Sequence, residues 1–362
     1  MTELNEATVR ARLSSVRDDY LETDMVSAGH VRGIGTDGRN VAVDVQLPYP
    51  ADGLEEQLVG QIRTALESDP AIDSAVVNFS WKVAPRKVQG ELKPLDQIRN
   101  IIAVASGKGG VGKSSTAVNL ALALAADGAN VGILDADIYG PSIPTMLGVG
   151  GRPETDGKQI VPKRAHGLQL MSMGFLVEEE TPMVWRGPMV TSALQQLLSE
   201  THWENLDFLV IDLPPGTGDI QLTLVQKVPV AGAVIVTTPQ DIALQDARKA
   251  YQMFRKLELT VLGVVENMST HICSECGHEE AIFGSGGAEH MADQYHVPLL
   301  GQLPLAARIR ADLDQGQPTV VSDPDGPIAR AYRNFARRTA AELSRQPRNL
   351  KLDLPQINIQ NG

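Results

Sequence analysis

The chain has 362 residues but only two cysteines, too few for a disulfide framework. A close pair in so cysteine-poor a chain points to metal binding or redox chemistry in a reducing compartment. A basic surplus is also missing, since 32 Lys and Arg face 44 Asp and Glu for a net charge of −12. Residues 1–90 hold 14 acidic and 9 basic side chains, a net of −5, which leaves −7 for the remainder. Neither part carries the basic footprint that nucleic acid favours. No apolar run approaches the roughly 18 residues needed to cross a bilayer. The segment Met1 to Arg10 is polar, with two glutamates, and lacks the apolar core of a secretory leader. The expectation is a soluble, cytoplasmic protein that binds neither nucleic acid nor membrane. At this length a single hydrophobic core is outgrown, so two domains are expected.

Residues 1–88 read as a small α+β domain. A helix is expected from Glu6 to Arg17, then an extended segment around Val31, then strict alternation through Val41, Val43, Val45 and Leu47. After Pro48 and Pro50, Asp52 and Glu55 resemble a helix-opening capping pair, and Leu54, Leu58, Ile62 and Leu66 form an apolar stripe at i,i+4. Val77, Phe79, Trp81 and Val83 alternate as a last strand. The proline- and charge-bearing stretch that follows contains the expected linker, residues 89–100. From Ile101 to residue 348 apolar strands alternate with helices, the rhythm of an α/β, doubly wound, mostly parallel sheet. The tail, residues 349–362, is expected to be poorly ordered.

The strand-like run Ile101 to Ala105 leads into Gly107-Lys108-Gly109-Gly110-Val111-Gly112-Lys113-Ser114 and then a helical stretch beginning near Thr116. This is the strand–loop–helix setting of a phosphate-binding loop in a P-loop NTPase domain. Glycines let the backbone N–H groups curl around an anion, and the helix N-terminus adds positive charge. Lys113 is expected to reach the β- and γ-phosphates from an exposed loop, and Ser114 to offer its hydroxyl to Mg²⁺. Ser115 completes the expected nucleotide-binding set. The early lysine, Lys108, resembles that of the deviant loop in the MinD, ParA and nitrogenase iron protein family. In that family it crosses a dimer interface to the partner's nucleotide. A solvated loop lysine is the plainer alternative.

Two further strand ends carry carboxylates. Asp135-Ala136-Asp137 places two of them where a γ-phosphate and its attacking water would sit, and Phe208 to Ile211 ends in Asp212 as a Mg²⁺-supporting Walker B strand does. Turn or helix capping is the plainer reading of both. No guanine-reading N-K-x-D motif is present, so ATP is favoured. The two cysteines are Cys273 and Cys276, spaced C-x-x-C. Two thiolates are half of a tetrahedral sulfur site. A homodimer contributing two from each subunit is the simplest completion of a four-thiolate site for a [4Fe-4S] cluster or zinc. A zinc site completed by His271 or His278, or a redox dithiol, are the competing readings.

Taken together, the lysine-bearing loop, Asp135 to Ser142, Trp185 to Met189, Asp212 to Asp219, and Glu266-Asn267-Met268-Ser269 before the cysteine pair resemble the Mrp/ApbC family of iron-sulfur cluster carrier ATPases. The small domain is similar to the iron-sulfur assembly domain often fused before bacterial members. The resemblance implies a homodimer that holds a labile [4Fe-4S] cluster between subunits, hydrolyses ATP slowly and serves apo client proteins and assembly factors. It implies that Asp137 positions the attacking water, Asn267 contacts adenine, and Cys273 and Cys276 hold the cluster. Small domains of this kind often carry a cysteine in the turn before their helix. Here that turn, Leu47-Pro48-Tyr49-Pro50-Ala51, has none, so a role in docking partners or the ATPase domain is expected instead. The principal alternative is a MinD- or ParA-like nucleotide-switched positioning ATPase with structural zinc or no metal.

Overall fold

The computed structural model describes residues 4–176 and 187–349. The N-terminal part begins with α1 (Glu6–Leu13), which stops short of Arg17 because Ser14 already closes it on the Arg10 carbonyl. A hairpin of β1 (Val31–Asp37) and β2 (Asn40–Leu47) follows, then α2 (Glu55–Glu67) and β3 (Ser74–Trp81), with β2 and β3 parallel. The alternation in β2 is real: Val41, Val43, Val45 and Leu47 are buried against Leu58, Ile62 and Leu66 of α2. The expected capping pair is not formed. Leu54 stands at the N-cap of α2 without a side-chain cap, and Asp52 instead accepts the Trp81 indole N–H at 2.5 Å.

The larger part is a nine-stranded sheet. In chain order it comprises β4 (Ile98–Ser106), β5 (Val131–Asp135), β6 (Lys163–Ala165), β7 (Leu168–Ser172), β8 (Leu206–Asp212), β9 (Gly232–Thr237), β10 (Val261–Ile272), β11 (Glu279–Glu280) and β12 (Leu299–Leu305). The spatial order is β6-β7-β5-β8-β4-β9-β10, with both β11 and β12 paired to β10; only β6 and β11 run antiparallel. Strand β4 shows why both faces must be covered. Ile102 and Val104 enter one apolar core while Ile101, Ala103 and Ala105 enter the other, so period-2 geometry turns one continuous apolar run into two buried faces. Helix α3 (Lys113–Ala126) is apolar nearly all round and almost wholly buried. The second core is roofed by α4 (Gly187–Glu200), α5 (Asp219–Lys227) and α6 (Asp241–Lys256), while α7 (Gly287–Tyr295) precedes β12 and α8 (Ala307–Asp314) follows it.

The N-terminal part rests on the C-terminal end of α3 and on the last helix, α9 (Pro327–Ser344). Arg337 of α9 grips buried Asp127 bidentately (2.6 and 2.8 Å), and the Asp127 carbonyl accepts the Asp52 N–H. Between the sheets, the Lys87 N–H donates to Pro347 O and the Gln89 amide donates to Val225 O and Val228 O at the end of α5. No helix among the described residues is long and apolar enough to cross a membrane. Trp185, Arg186 and residues 350–362 lie outside the described residues.

Candidate functional site at the carboxyl ends of the strands

The carboxyl ends of β4, β5 and β8 converge, which is where a doubly wound sheet presents its ligand site. In the loop after β4 two glycines leave no room for a side chain. Gly112 has φ +79° and caps α3, and a Cβ there would lie 2.2 Å from the Asn267 amide nitrogen. A Cβ on Gly107 would lie 2.2 Å from the Asp246 backbone of α6. Gly109 and Gly110 are exposed and Val111 is buried, leaving the loop's rim open while one apolar residue anchors it.

Four of the expected residues meet. The Lys113 ammonium lies 2.5 Å from Asp212 Oδ1 and 4.0 Å from Asp137 Oδ2, and the Ser114 hydroxyl donates to Asp212 Oδ2 at 2.5 Å. Lys113 is thus not on an exposed loop. It is buried and paired, because Asp212 would otherwise be a buried unpaired charge. Burial holds Asp212 above the ordinary carboxylate range, opposed by the Lys113 charge and by hydrogen bonds from Lys113 and Ser114.

Of the two carboxylates at the end of β5, Asp135 is the more heavily hydrogen-bonded. Asp135 accepts from Asp137 N (3.1 Å), Ile143 N (3.1 Å) and Ser172 Oγ (3.2 Å), so its oxygens hold the turn together. It is also the register neighbour of Asp212 on β8. Burial first, and the Asp212 charge second, push Asp135 up to about 7. Asp137 accepts only the Tyr139 N–H among the described residues, and it lines a recess of about 470 Å³ with Pro214, Pro215 and Gly218.

Lys108 is half-buried and its ammonium has no carboxylate partner among the described residues. Asn267 donates to Val111 O at 2.9 Å, buttressing the loop from below. It also lines a cleft of about 440 Å³ with Gly112, Ser115, Met268, Pro304 and Leu305. Met268 sits at φ +58°. The cleft's apolar contribution from Met268, Pro304 and Leu305 was not read from the sequence, since it gathers residues from two strands.

Strand β10 runs on from Asn267 to Ile272, where β11 pairs back antiparallel on His271 and Ile272. Cys273 and Cys276 occupy the hairpin turn. The Cys273 N–H donates to His278 O and the Gly277 N–H to Cys273 O. Cys273 is half-buried and Cys276 exposed, and the backbone amides of Cys276 and Glu275 hold the Cys273 thiol below its ordinary value. Among the described residues no group of three or more His, Cys, Asp or Glu side chains is placed to hold a metal. Neither His271 nor His278 is grouped with the two thiols among the described residues.

This architecture defines a P-loop NTPase of the MinD kind. The MinD cell-division ATPase of Pyrococcus furiosus superposes with a TM-score of 0.52 at 25% identity, over 66% of this chain and 97% of that one. A nucleotide-binding protein of Archaeoglobus fulgidus in complex with ADP superposes with a TM-score of 0.57 at 37% identity, over 64% and 91%. The profile of the NUBPL iron-transfer P-loop NTPases matches residues 97–340, and that of an iron-sulfur cluster assembly protein matches residues 6–79. The chain belongs to the NUBPL iron-transfer P-loop NTPase family. It is 53% identical to the iron-sulfur cluster carrier protein of Haemophilus influenzae over 95% of this chain and 93% of that one. It is 52% identical to the iron-sulfur cluster transfer protein NUBPL of Mus musculus over 70% and 81%.

Proposed function

We propose that this protein is an ATP-dependent iron-sulfur cluster carrier, cytoplasmic and homodimeric, whose cargo is a labile [4Fe-4S] cluster passed to apo client proteins. One observation carries the reading: each chain offers two accessible thiols at one hairpin turn, and no third ligand beside them among the described residues. A second copy supplies the missing pair.

In the nucleotide half of the cycle, Gly107, Lys108, Gly109, Gly110, Val111, Gly112, Lys113, Ser114 and Ser115 form the phosphate cradle. Lys113 leaves Asp212 for the β- and γ-phosphates, exchanging one anionic partner for another. The Ser114 hydroxyl and the Asp212 carboxylate are hard oxygen donors suited to Mg²⁺, which supplies charge neutralisation at the phosphates. Asp137 orients the attacking water, and Asn267 meets adenine in the cleft behind the loop. Lys108 acts across the dimer on the partner's nucleotide, as an arginine finger does. The positioning-ATPase alternative shares the fold but leaves the thiol hairpin without a use. Anaerobic reconstitution followed by iron and sulfide analysis is the test. About four irons and four sulfides per two chains is the expected result, and one zinc per monomer refutes the reading.

A further inference from the structure

Gln221 lies in the first turn of α5, nine residues beyond Asp212. It is 2% exposed, yet neither its amide oxygen nor its amide nitrogen has a hydrogen-bond partner among the described residues. Its neighbours on the same helical face, Leu224 and Val225, enter the second apolar core. A leucine there would satisfy packing better, because buried amides are normally paired. Gln221 also lines the recess that holds Asp137, Pro214, Pro215 and Gly218. The backbone leading to it is tied to the phosphate loop: Gly216, at φ +99°, donates its N–H to Ser106 O. An unpaired donor and acceptor therefore sit together at the wall of the recess that Asp137 also lines.

We propose that Gln221 is a further orienting residue for ATP hydrolysis, its amide oxygen accepting from the attacking water and its amide nitrogen donating to a γ-phosphate oxygen. This rests on the hydrolytic reading above. Asp137 and Gln221 then hold the water from two sides. A neutral amide suits the place, since Asp137 and Asp219 already line the recess with carboxylates and another charge would repel the phosphate. In the step itself, a bond forms between the water oxygen and the γ-phosphorus. The bond from that phosphorus to the β,γ-bridging oxygen breaks and leaves its electron pair on ADP. One water proton stays on inorganic phosphate, and the other passes to Asp137 and then to solvent.

The test compares wild type, Gln221→Leu and Gln221→Glu in full-length protein. Gln221→Leu is expected to lower turnover by about 10²-fold, the scale of one lost transition-state hydrogen bond. Its ATP Kd should stay within about twofold, and the Tm of the nucleotide-free protein should hold or rise because an unpaired amide has left the core. Gln221→Glu should be inactive at pH 8 and regain turnover as the pH falls, since only a protonated carboxyl can donate and accept as the amide does. Wild-type turnover in Gln221→Leu, or joint loss of ATP affinity and Tm, overturns the inference and leaves a packing role. A Gln221→Glu profile parallel to that of wild type overturns it as well. Wild-type protein lacking Lys113-dependent turnover overturns the hydrolytic reading and this inference with it.

Discussion

The phosphate-loop end of the sheet and the cysteine hairpin stand at opposite extremes of self-sufficiency. At the loop, Lys113, Ser114, Asp137 and Asp212 are drawn together within one chain, with charges answered and hydroxyls paired. At the hairpin, one half-buried and one exposed thiol have backbone support but, among the described residues, no third ligand. Preorganisation of the first suits a small ligand that enters a finished pocket. Incompleteness of the second suits a cargo that must be shared and surrendered.

The largest expected effect breaks one region and spares the other. Cys273→Ala or Cys276→Ala removes two of the four thiolates from an assembled dimer, so iron after reconstitution should fall to background while ATP binding is unchanged. Retention of a full cluster by either variant would collapse the distinction. Lys113→Ala should abolish turnover. It also strands Asp212, so the nucleotide-free protein should lose about 3 kcal/mol of stability, read by denaturant titration, with part regained as Asp212 takes up a proton.

Lys108→Ala, whose ammonium has no carboxylate partner among the described residues, should leave stability and ATP affinity intact. Turnover should drop about 10³-fold, as for a lost arginine finger. Mixing with a hydrolysis-dead partner that keeps Lys108 should restore part of it. No recovery despite verified subunit exchange would exclude action in trans. The last expected effect is read as a slope and concerns Asp135. Its folded pKa is raised to about 7, above the unfolded value near about 3.9, so its neutral form favours the folded state. That contribution is full below about pH 4 and is lost as pH rises through about 7, on the order of a few kcal/mol. Tm should therefore decline from pH 5 to pH 8, and Asp135→Asn should flatten the slope even if it is less stable throughout. Parallel slopes would show that other groups set the decline.

The parallel sheet, the phosphate loop and the Asp212 strand end were legible because each is written in contiguous residues with a period or a fixed spacing. What was hidden depended on residues far apart in the chain. The Lys113–Asp212 pairing joins positions 99 apart, so local polarity suggested an exposed lysine where the fold buries one. Asp52 looked like a helix cap from its spacing to Glu55, but the Trp81 indole, 29 residues on, claims its carboxylate. Asp135 and Asp137 are alike in sequence and unlike in role because Ser172 and the Ile143 amide reach only the first. Gln221 reads as one polar residue in an amphipathic helix, and only its burial marks it.

Strand β10 borders the cleft at Asn267 and ends at the cysteine hairpin, with its pairing to β12 irregular between Asn267 and His271. Cys273 lies six positions beyond Asn267, a span of at most about 20 Å. Deleting or inserting a single residue in that stretch would reverse which side of the strand the thiols face, as any odd shift in a pleated chain does. What is constrained between the two sites is thus parity more than identity. Thr270 and Ile272 should tolerate exchange for other β-formers, whereas a frame-preserving change of one residue in length should leave a folded nucleotide-binding protein whose two hairpins no longer face each other across a dimer.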